Sequence, residues 1–183
     1  RAVVAGTMAE AAARLREIAD NHLPPAVRGQ LPKHVSASPQ RRPKVAFTFA
    51  GQGAQWWGMA RRLIHEDEAF RSVFNAFDEM FSELSGWSIR AELLRDKAAS
   101  QVGRGLVAQP GIFGVQIGLA AYWAARGLKP DLVIGHSFGE IAAAHVAGAL
   151  DLEAATRLIS TRARVREHVP AGTMMVVGMA ADA

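Results

Sequence analysis

A short apolar run, Leu132 to Ile134, leads directly into Gly135-His136-Ser137-Phe138-Gly139, and a helix of small residues, Ala142 to Ala149, follows at once. A strand that turns so sharply into a helix needs glycine on both sides of the turn, because a Cβ at either position would collide with the crowded backbone. The serine between them is held on a strained turn with its hydroxyl projecting outward. The helix behind it points its positive end toward the same place, which favours developing negative charge. G-x-S-x-G between a strand and a helix is a nucleophile elbow, so Ser137 is the candidate nucleophile.

The surrounding elements fit that core. Val45 to Ala50 is an apolar run ending in Gly51-Gln52-Gly53, the pattern of a buried strand entering a tight turn. Trp56 to Ile64 has helical spacing. So does Phe70 to Leu84, where Phe70, Val73, Phe74, Phe77, Met80, Phe81 and Leu84 fall on one stripe. Residues 85–108 show no clear period. Pro110 sits where a helix can start; Gly111 to Arg126 continues as an apolar helix stopped by Gly127, with Pro130 beyond. Asp151 caps a further helix to about His168. Trp56 and Trp57 are expected to be packing groups. Strands separated by helices, each too apolar to leave a face in water, predict an α/β core with a parallel sheet.

The flanks differ in character. Thr7 and Glu10 have the spacing of a capping box, and five prolines between Pro24 and Pro43 mark a connector. At the other end, Met174 to Val177 reads as a strand with no visible partner, which suggests that the chain continues in a longer protein. The expected division is a linker segment at 1–43, the α/β core at 44–172 and the start of a smaller subdomain at 173–183.

Composition excludes several classes. The 183 residues are 50% hydrophobic and 21% charged, enough apolar material for a core, yet no run approaches the roughly 18 consecutive apolar residues expected of a membrane span and no signal peptide is visible. Cysteine is absent, which rules out disulfides, a thiolate metal site and a cysteine nucleophile, and no metal site is expected. This fits an intracellular, cytoplasmic enzyme. The formal charge of +4 could help attract anionic partners, but basic pairs such as Arg41-Arg42 and Arg61-Arg62 lack interleaved aromatics, so nucleic-acid binding is not expected.

Gly135-His136-Ser137-Phe138-Gly139-Glu140 resembles the G-H-S-x-G-E signature of malonyl-CoA:acyl carrier protein transacylases and of the acyltransferase domains of polyketide and fatty acid synthases. Gly51-Gln52-Gly53-Ala54-Gln55-Trp56 is similar to their G-Q-G-x-Q motif. Gln109-Pro110 before a long apolar helix, and Arg162 set 25 positions after Ser137, match the family's layout. Residues 1–43 resemble the linker between ketosynthase and acyltransferase in modular synthases, which makes an adjacent ketosynthase an expected partner. The fold implied is a hydrolase-like parallel-sheet core with a nucleophile elbow, then the start of a small ferredoxin-like subdomain.

The resemblance also implies roles. Ser137 takes an acyl group from an acyl-CoA and passes it to the phosphopantetheine thiol of an acyl carrier protein, in two half-reactions. Coenzyme A arrives as a thioester donor, and no tightly bound cofactor is expected. The backbone N–H groups of Gln52 and Phe138 form the oxyanion hole, where losing one donor typically costs ~10²–10³ in rate. Arg162 grips the free carboxylate of a malonyl or methylmalonyl unit through its planar fork. Gln109, Gln55 and His136 lie near the pocket. The family's general base is a histidine far downstream, expected beyond residue 183; His22, His34, His65, His145 and His168 do not match it. Phe138 and the stretch Val102–Gln109 match neither extender-unit pattern, so malonyl and methylmalonyl both stay open. A serine hydrolase or lipase would share the elbow, and an inactive linker or docking fragment would share the missing base.

Overall fold

Four phenylalanines, Phe70, Phe74, Phe77 and Phe81, recur along one helix at helical spacing, and all are buried. Their rings touch in sequence, with centroids 5.6, 6.3 and 5.8 Å apart. The helix that carries this ladder packs against four other helices among the described residues. The computed structural model describes residues 44–168. The chain divides between Arg42 and Pro43, and the described residues belong to the second unit. The capping box, the 1–43 linker and the Met174–Val177 strand lie outside the described residues.

The elements are β1 (Ala46–Phe49), α1 (Arg61–Glu66), α2 (Glu68–Ser85), α3 (Ile89–Leu93), α4 (Gly105–Ala125), β2 (Leu132–Gly135), α5 (Gly139–Val146) and α6 (Leu152–His168). The two strands pair in parallel, with Ala46 opposite Leu132 and Phe49 opposite Gly135. Parallel pairing requires a crossover, and here α1 to α4 supply it. The expected α/β class with a parallel sheet is therefore observed.

α2 carries the ladder and α4 lies against it. Phe113 of α4 meets Phe77 edge-on at 5.1 Å. Close approach is possible because α4 presents Gly114 and Gly118 to the ladder: a Cβ at Gly114 would come 2.8 Å from the Phe77 ring, and one at Gly118 2.7 Å from that of Phe70. α4 is long and apolar enough to cross a membrane by length and composition. In this fold its Val107, Ala108, Ile112, Phe113 and Ile117 are buried in the protein core. α6 adds Ala155, Ile159 and Ala163 to the buried set.

Three sequence expectations are corrected. Gly111 is not the start of the apolar helix: α4 begins at Gly105, with Pro110 inside it. The helix is closed earlier, where the N–H groups of Val107 and Ala108 both donate to the Arg104 carbonyl, and Pro110, which has no N–H, leaves the Leu106 carbonyl without its usual donor one turn on. Trp56–Ile64 is not one helix, because Ala60 has φ 65° and α1 begins only at Arg61. Finally, β2 is not buried on both faces. Val133 and Phe47 pack on the core, whereas Leu132 and Ile134 are about half exposed on the opposite face.

Helix ends are built locally. Asp67 caps α2 by accepting the Phe70 N–H at 2.9 Å, and the Arg126 guanidinium past the end of α4 donates to it at 2.7 Å. Asp151 accepts the Ala154 N–H at 2.7 Å, as the sequence predicted. Gly127, at φ 81°, follows the end of α4. The short α3 has a longer-range anchor: buried Asp78 on α2 accepts from Ser88 Oγ and from the Arg90 N–H.

Two outcomes are expected. Phe77→Ala removes a ring that touches Phe74, Phe81 and Phe113, and should destabilise the domain by about 3–5 kcal/mol in denaturant unfolding; a loss under 1 kcal/mol would show that the ladder is not the core. The Phe70 N–H, and then Arg126, hold the Asp67 carboxyl below its usual range. Its contribution to stability is thus complete above the ordinary carboxylate range and is lost as pH falls through the lowered value. Thermal unfolding from neutral to acidic pH should show a shallower acid-side loss in Asp67→Asn than in wild type; superimposable acid limbs would contradict the assignment.

Candidate active site

Ser137 sits between β2 and α5 with φ 57°, a left-handed conformation that non-glycine residues seldom adopt. The turn is fixed by its neighbours. The His136 N–H donates to the Phe49 carbonyl at 2.9 Å, continuing the strand pairing by one residue, and the Gly139 N–H returns to the His136 carbonyl at 3.0 Å. A Cβ at Gly139 would run into the carbonyl oxygen of Phe49, and one at Gly135 into the backbone of Glu140. Both motif glycines are thus required by close backbone approach. Phe138 drives its ring into the core, where it is 2% exposed, which anchors the turn from below.

The segment after β1 lies against this turn. A methyl group at Gly51 would sit 3.0 Å from His136 Nδ1 and 3.2 Å from Ser137 Cβ. Gln55 Oε1 accepts the Gly53 N–H at 2.8 Å, and Gln116 Nε2 of α4 donates to the Ala50 carbonyl at 2.7 Å. Gln109 is 2% exposed and donates to Gln52 Oε1 at 3.3 Å. The N–H groups of Gln52 and Phe138 donate to no other described residue.

α6 brings a cation to the serine. Arg162 Nη2 donates to Ser137 Oγ at 3.2 Å, and both residues are exposed. Of the four arginines on α6, Arg157 is paired with Glu153 at 2.8 Å on another part of the surface, while Arg162 is the one bonded to the serine. Sequence spacing could not separate them. Two of the described histidines are engaged elsewhere: His145 Nδ1 lies 3.0 Å from the Leu150 carbonyl and His168 Nδ1 2.9 Å from that of Arg164. Among the described residues no histidine hydrogen-bonds Ser137 Oγ.

Gln116 was missed by the sequence reading, although a lone glutamine in the apolar stretch Gly111 to Ala121 was a usable signal. Trp56 departs from expectation in the other direction. It is 63% exposed rather than packed, whereas Trp57 does pack, with its Nε1 donating to the Arg95 carbonyl and the Arg61 guanidinium 4.6 Å from its ring.

Residues 46–183 match the acyl transferase domain family. The chain belongs to that family. Erythronolide synthase EryA3 of Saccharopolyspora erythraea is 45% identical over 166 residues, 90% of this chain and 5% of that protein. The spectinabilin polyketide synthase system protein NorA of Streptomyces orinoci is 39% identical over 181 residues, 99% of this chain and 9% of its own length. The domain therefore spans under a tenth of these relatives. Among solved structures, the acyltransferase domain from the second module of the salinomycin polyketide synthase superposes with a TM-score of 0.67 at 34% identity, covering 92% of this chain and 38% of that one. The malonyl-CoA:ACP transacylase of Synechocystis sp. PCC 6803 superposes with a TM-score of 0.57 at 29% identity, over 67% of this chain and 40% of that one. Acyltransferase domains of polyketide synthases are thus what this domain resembles in both sequence and fold.

Two glycines at opposite ends of α5 give a graded expectation. Gly148 has φ 79° with open space around it, so Gly148→Ala should cost about 1–2 kcal/mol through backbone strain alone. Gly139→Ala forces backbone against backbone and should lower the unfolding midpoint considerably more. Equal midpoints for the two variants would mean that the turn can relax.

Proposed function

We propose that this domain moves a malonyl-type acyl group from coenzyme A, through an ester on Ser137, to the phosphopantetheine thiol of an acyl carrier protein. The observation that carries the reading is the Arg162 guanidinium 3.2 Å from Ser137 Oγ. In a malonyl ester the free carboxylate carbon is three bonds from Oγ, no more than about 4 Å away. A guanidinium at the hydroxyl is therefore within reach of that carboxylate, and its planar fork can bind both oxygens. A simple acetyl or fatty acyl group offers it nothing.

The bonds made and broken balance; the proton that Ser137 gives up passes to the departing sulfur, and is returned from the carrier thiol, through a general base that no described histidine bonded to Ser137 supplies. Ser137 Oγ attacks the thioester carbonyl, and the negative charge that develops on the carbonyl oxygen is met by the free N–H groups of Gln52 and Phe138. The carbon–sulfur bond breaks, coenzyme A leaves as the thiol, and the acyl group remains as an ester. The carrier thiol then attacks the ester, the carbon–oxygen bond breaks, and Ser137 regains its proton. The strained φ at Ser137 supports the role of the turn as a nucleophile elbow, since it presents Oγ at the end of α5 where the helix favours anions. The bland alternative, a tight turn beside a surface arginine, does not account for a buried phenylalanine, three fixed glycines and a cation converging on one hydroxyl.

Within the parent enzyme we read residues 1–43 as the linker from a ketosynthase and 173–183 as the start of a small ferredoxin-like subdomain, in a cytoplasmic synthase. Malonyl and methylmalonyl remain alternative extender units. Phe138 adds no preference through its side chain, because the ring points into the core.

Intact-protein mass spectrometry after mixing with malonyl-CoA or methylmalonyl-CoA tests the reading. A stable acyl increment is expected with one or both donors and should vanish in Ser137→Ala. Arg162→Ala should slow malonyl loading by about 10- to 100-fold, the loss of charge-assisted hydrogen bonds, while leaving acetyl loading no slower. An increment that survives in Ser137→Ala, or equal losses for malonyl and acetyl donors in Arg162→Ala, would overturn it.

A further inference from the structure

Three glutamine side chains converge on the segment that follows β1. Gln116 holds the Ala50 carbonyl at 2.7 Å, Gln55 holds the Gly53 N–H at 2.8 Å, and Gln109 holds the Gln52 carboxamide at 3.3 Å. Together they fix the chain on both sides of Gln52 and leave its own backbone N–H without a partner among the described residues. Two of the three come from α4, more than 50 residues away in sequence.

Gln109 is the least expected of them. It is 2% exposed, one turn into α4, and its Oε1 is buried with no hydrogen-bond partner among the described residues. Turning the amides of Gln109 and Gln52 over together only exchanges which Gln109 atom is left unpaired. The pair is one hydrogen bond short in either arrangement, and an unpaired buried polar atom is destabilising. Methionine would fill the same space without that cost. The Gln52 side chain meanwhile lies over the first turn of α4: a methyl at Gly105 would be 3.9 Å from Gln52 Nε2. The polar contact with Gln52 is the one thing Gln109 does there that an apolar residue could not.

We propose that Gln109 is a positioning residue, which clamps the Gln52 side chain onto the start of α4 and thereby sets the direction of the Gln52 N–H. This rests on the reading of that N–H as an oxyanion donor. Gln109 does not touch the acyl group; it acts through Gln52. Its removal should therefore weaken stabilisation of the transition state without weakening binding of the donor.

The test uses Gln109→Met, Gln52→Met, the double variant and Gln109→Glu in the full-length parent enzyme, with two readouts. Hydrogen exchange across residues 50–55 should quicken by about tenfold in Gln109→Met, with the rest of the domain unchanged. The maximal rate of acyl-enzyme formation should fall about 10- to 100-fold, with the half-saturating malonyl-CoA concentration unchanged. Gln52→Met should match it, and the double variant should lose no more than either single one. Gln109→Glu keeps an acceptor toward which Gln52 Nε2 can turn, and should recover protection and part of the rate. Unchanged exchange, additive losses in the double variant, or a raised half-saturating concentration at unchanged maximal rate would each overturn the proposal. If the wild type forms no acyl-enzyme, the proposed function falls, while the exchange measurement still decides whether Gln109 holds the turn.

Discussion

The carbonyl end of β1 and the turn after β2 meet backbone to backbone. The Phe49 carbonyl takes the His136 N–H at 2.9 Å and also occupies the space that a side chain on Gly139 would need. On the next residues Gly51 lies flat against His136 and Ser137. Ser137 and Gln52 both inherit their positions from this contact. The strand register places Phe49 opposite Gly135, so the two chains leave the sheet at the same level and their next few residues are forced together. One leaving segment carries Ser137, the other Gln52. The motif glycines are best understood as the condition for this meeting, since either chain would be pushed away by a single methyl group.

The helices bring the remaining group. α6 buries Ala155, Ile159 and Ala163 on one side. The hydroxyls of its buried Thr156 and Ser160 are satisfied by the Leu152 and Thr156 carbonyls one turn back, both at 2.7 Å. The buried side therefore needs no outside polar partner and can slide into the core as an apolar surface. Arg162, on the exposed side, is carried to Ser137 by that packing. Its reach to Oγ depends on how α6 seats against α2, which carries the phenylalanine ladder, and against α4 and α5.

Much of this was legible in the sequence where the cause is local. The α2 stripe repeats at helical spacing, the Asp151 cap sits at its proper offset, and Gly127 ends α4 in the left-handed conformation. Ser137 was marked by its motif. Errors arose where distant residues decide. α3 is only five residues long and is organised by Asp78, ten positions before Ser88, so no local period announces it. Pro110 was read as a helix start because prolines favour that position, but the turn before it is closed by bonds to the Arg104 carbonyl. The open face of β2 was unpredictable from Leu132 and Ile134 themselves, since an apolar run reads as buried on both sides. Spacing leaves four arginines on one helix equivalent, so Arg162 was legible through the family resemblance alone, and no local signal joins Gln109 to Gln52, 57 positions away.

The bond between Arg162 and Ser137 bears on how such a site would choose its acyl group. A guanidinium donating to a neutral hydroxyl at 3.2 Å makes a long hydrogen bond, weaker than it would make to a carboxylate. Under the proposed function an incoming malonyl group offers that carboxylate within a few ångströms, so the arginine exchanges a poor partner for a good one and releases Oγ in the same movement. A neutral acyl group gives no such exchange and must compete with the guanidinium for the serine oxygen. Selection for a free carboxylate then acts on binding and also on the availability of the nucleophile. The strained backbone at Ser137 belongs to the same arrangement: it holds Oγ where both the arginine and the acyl carbonyl can reach it, and the sheet contact below keeps it there.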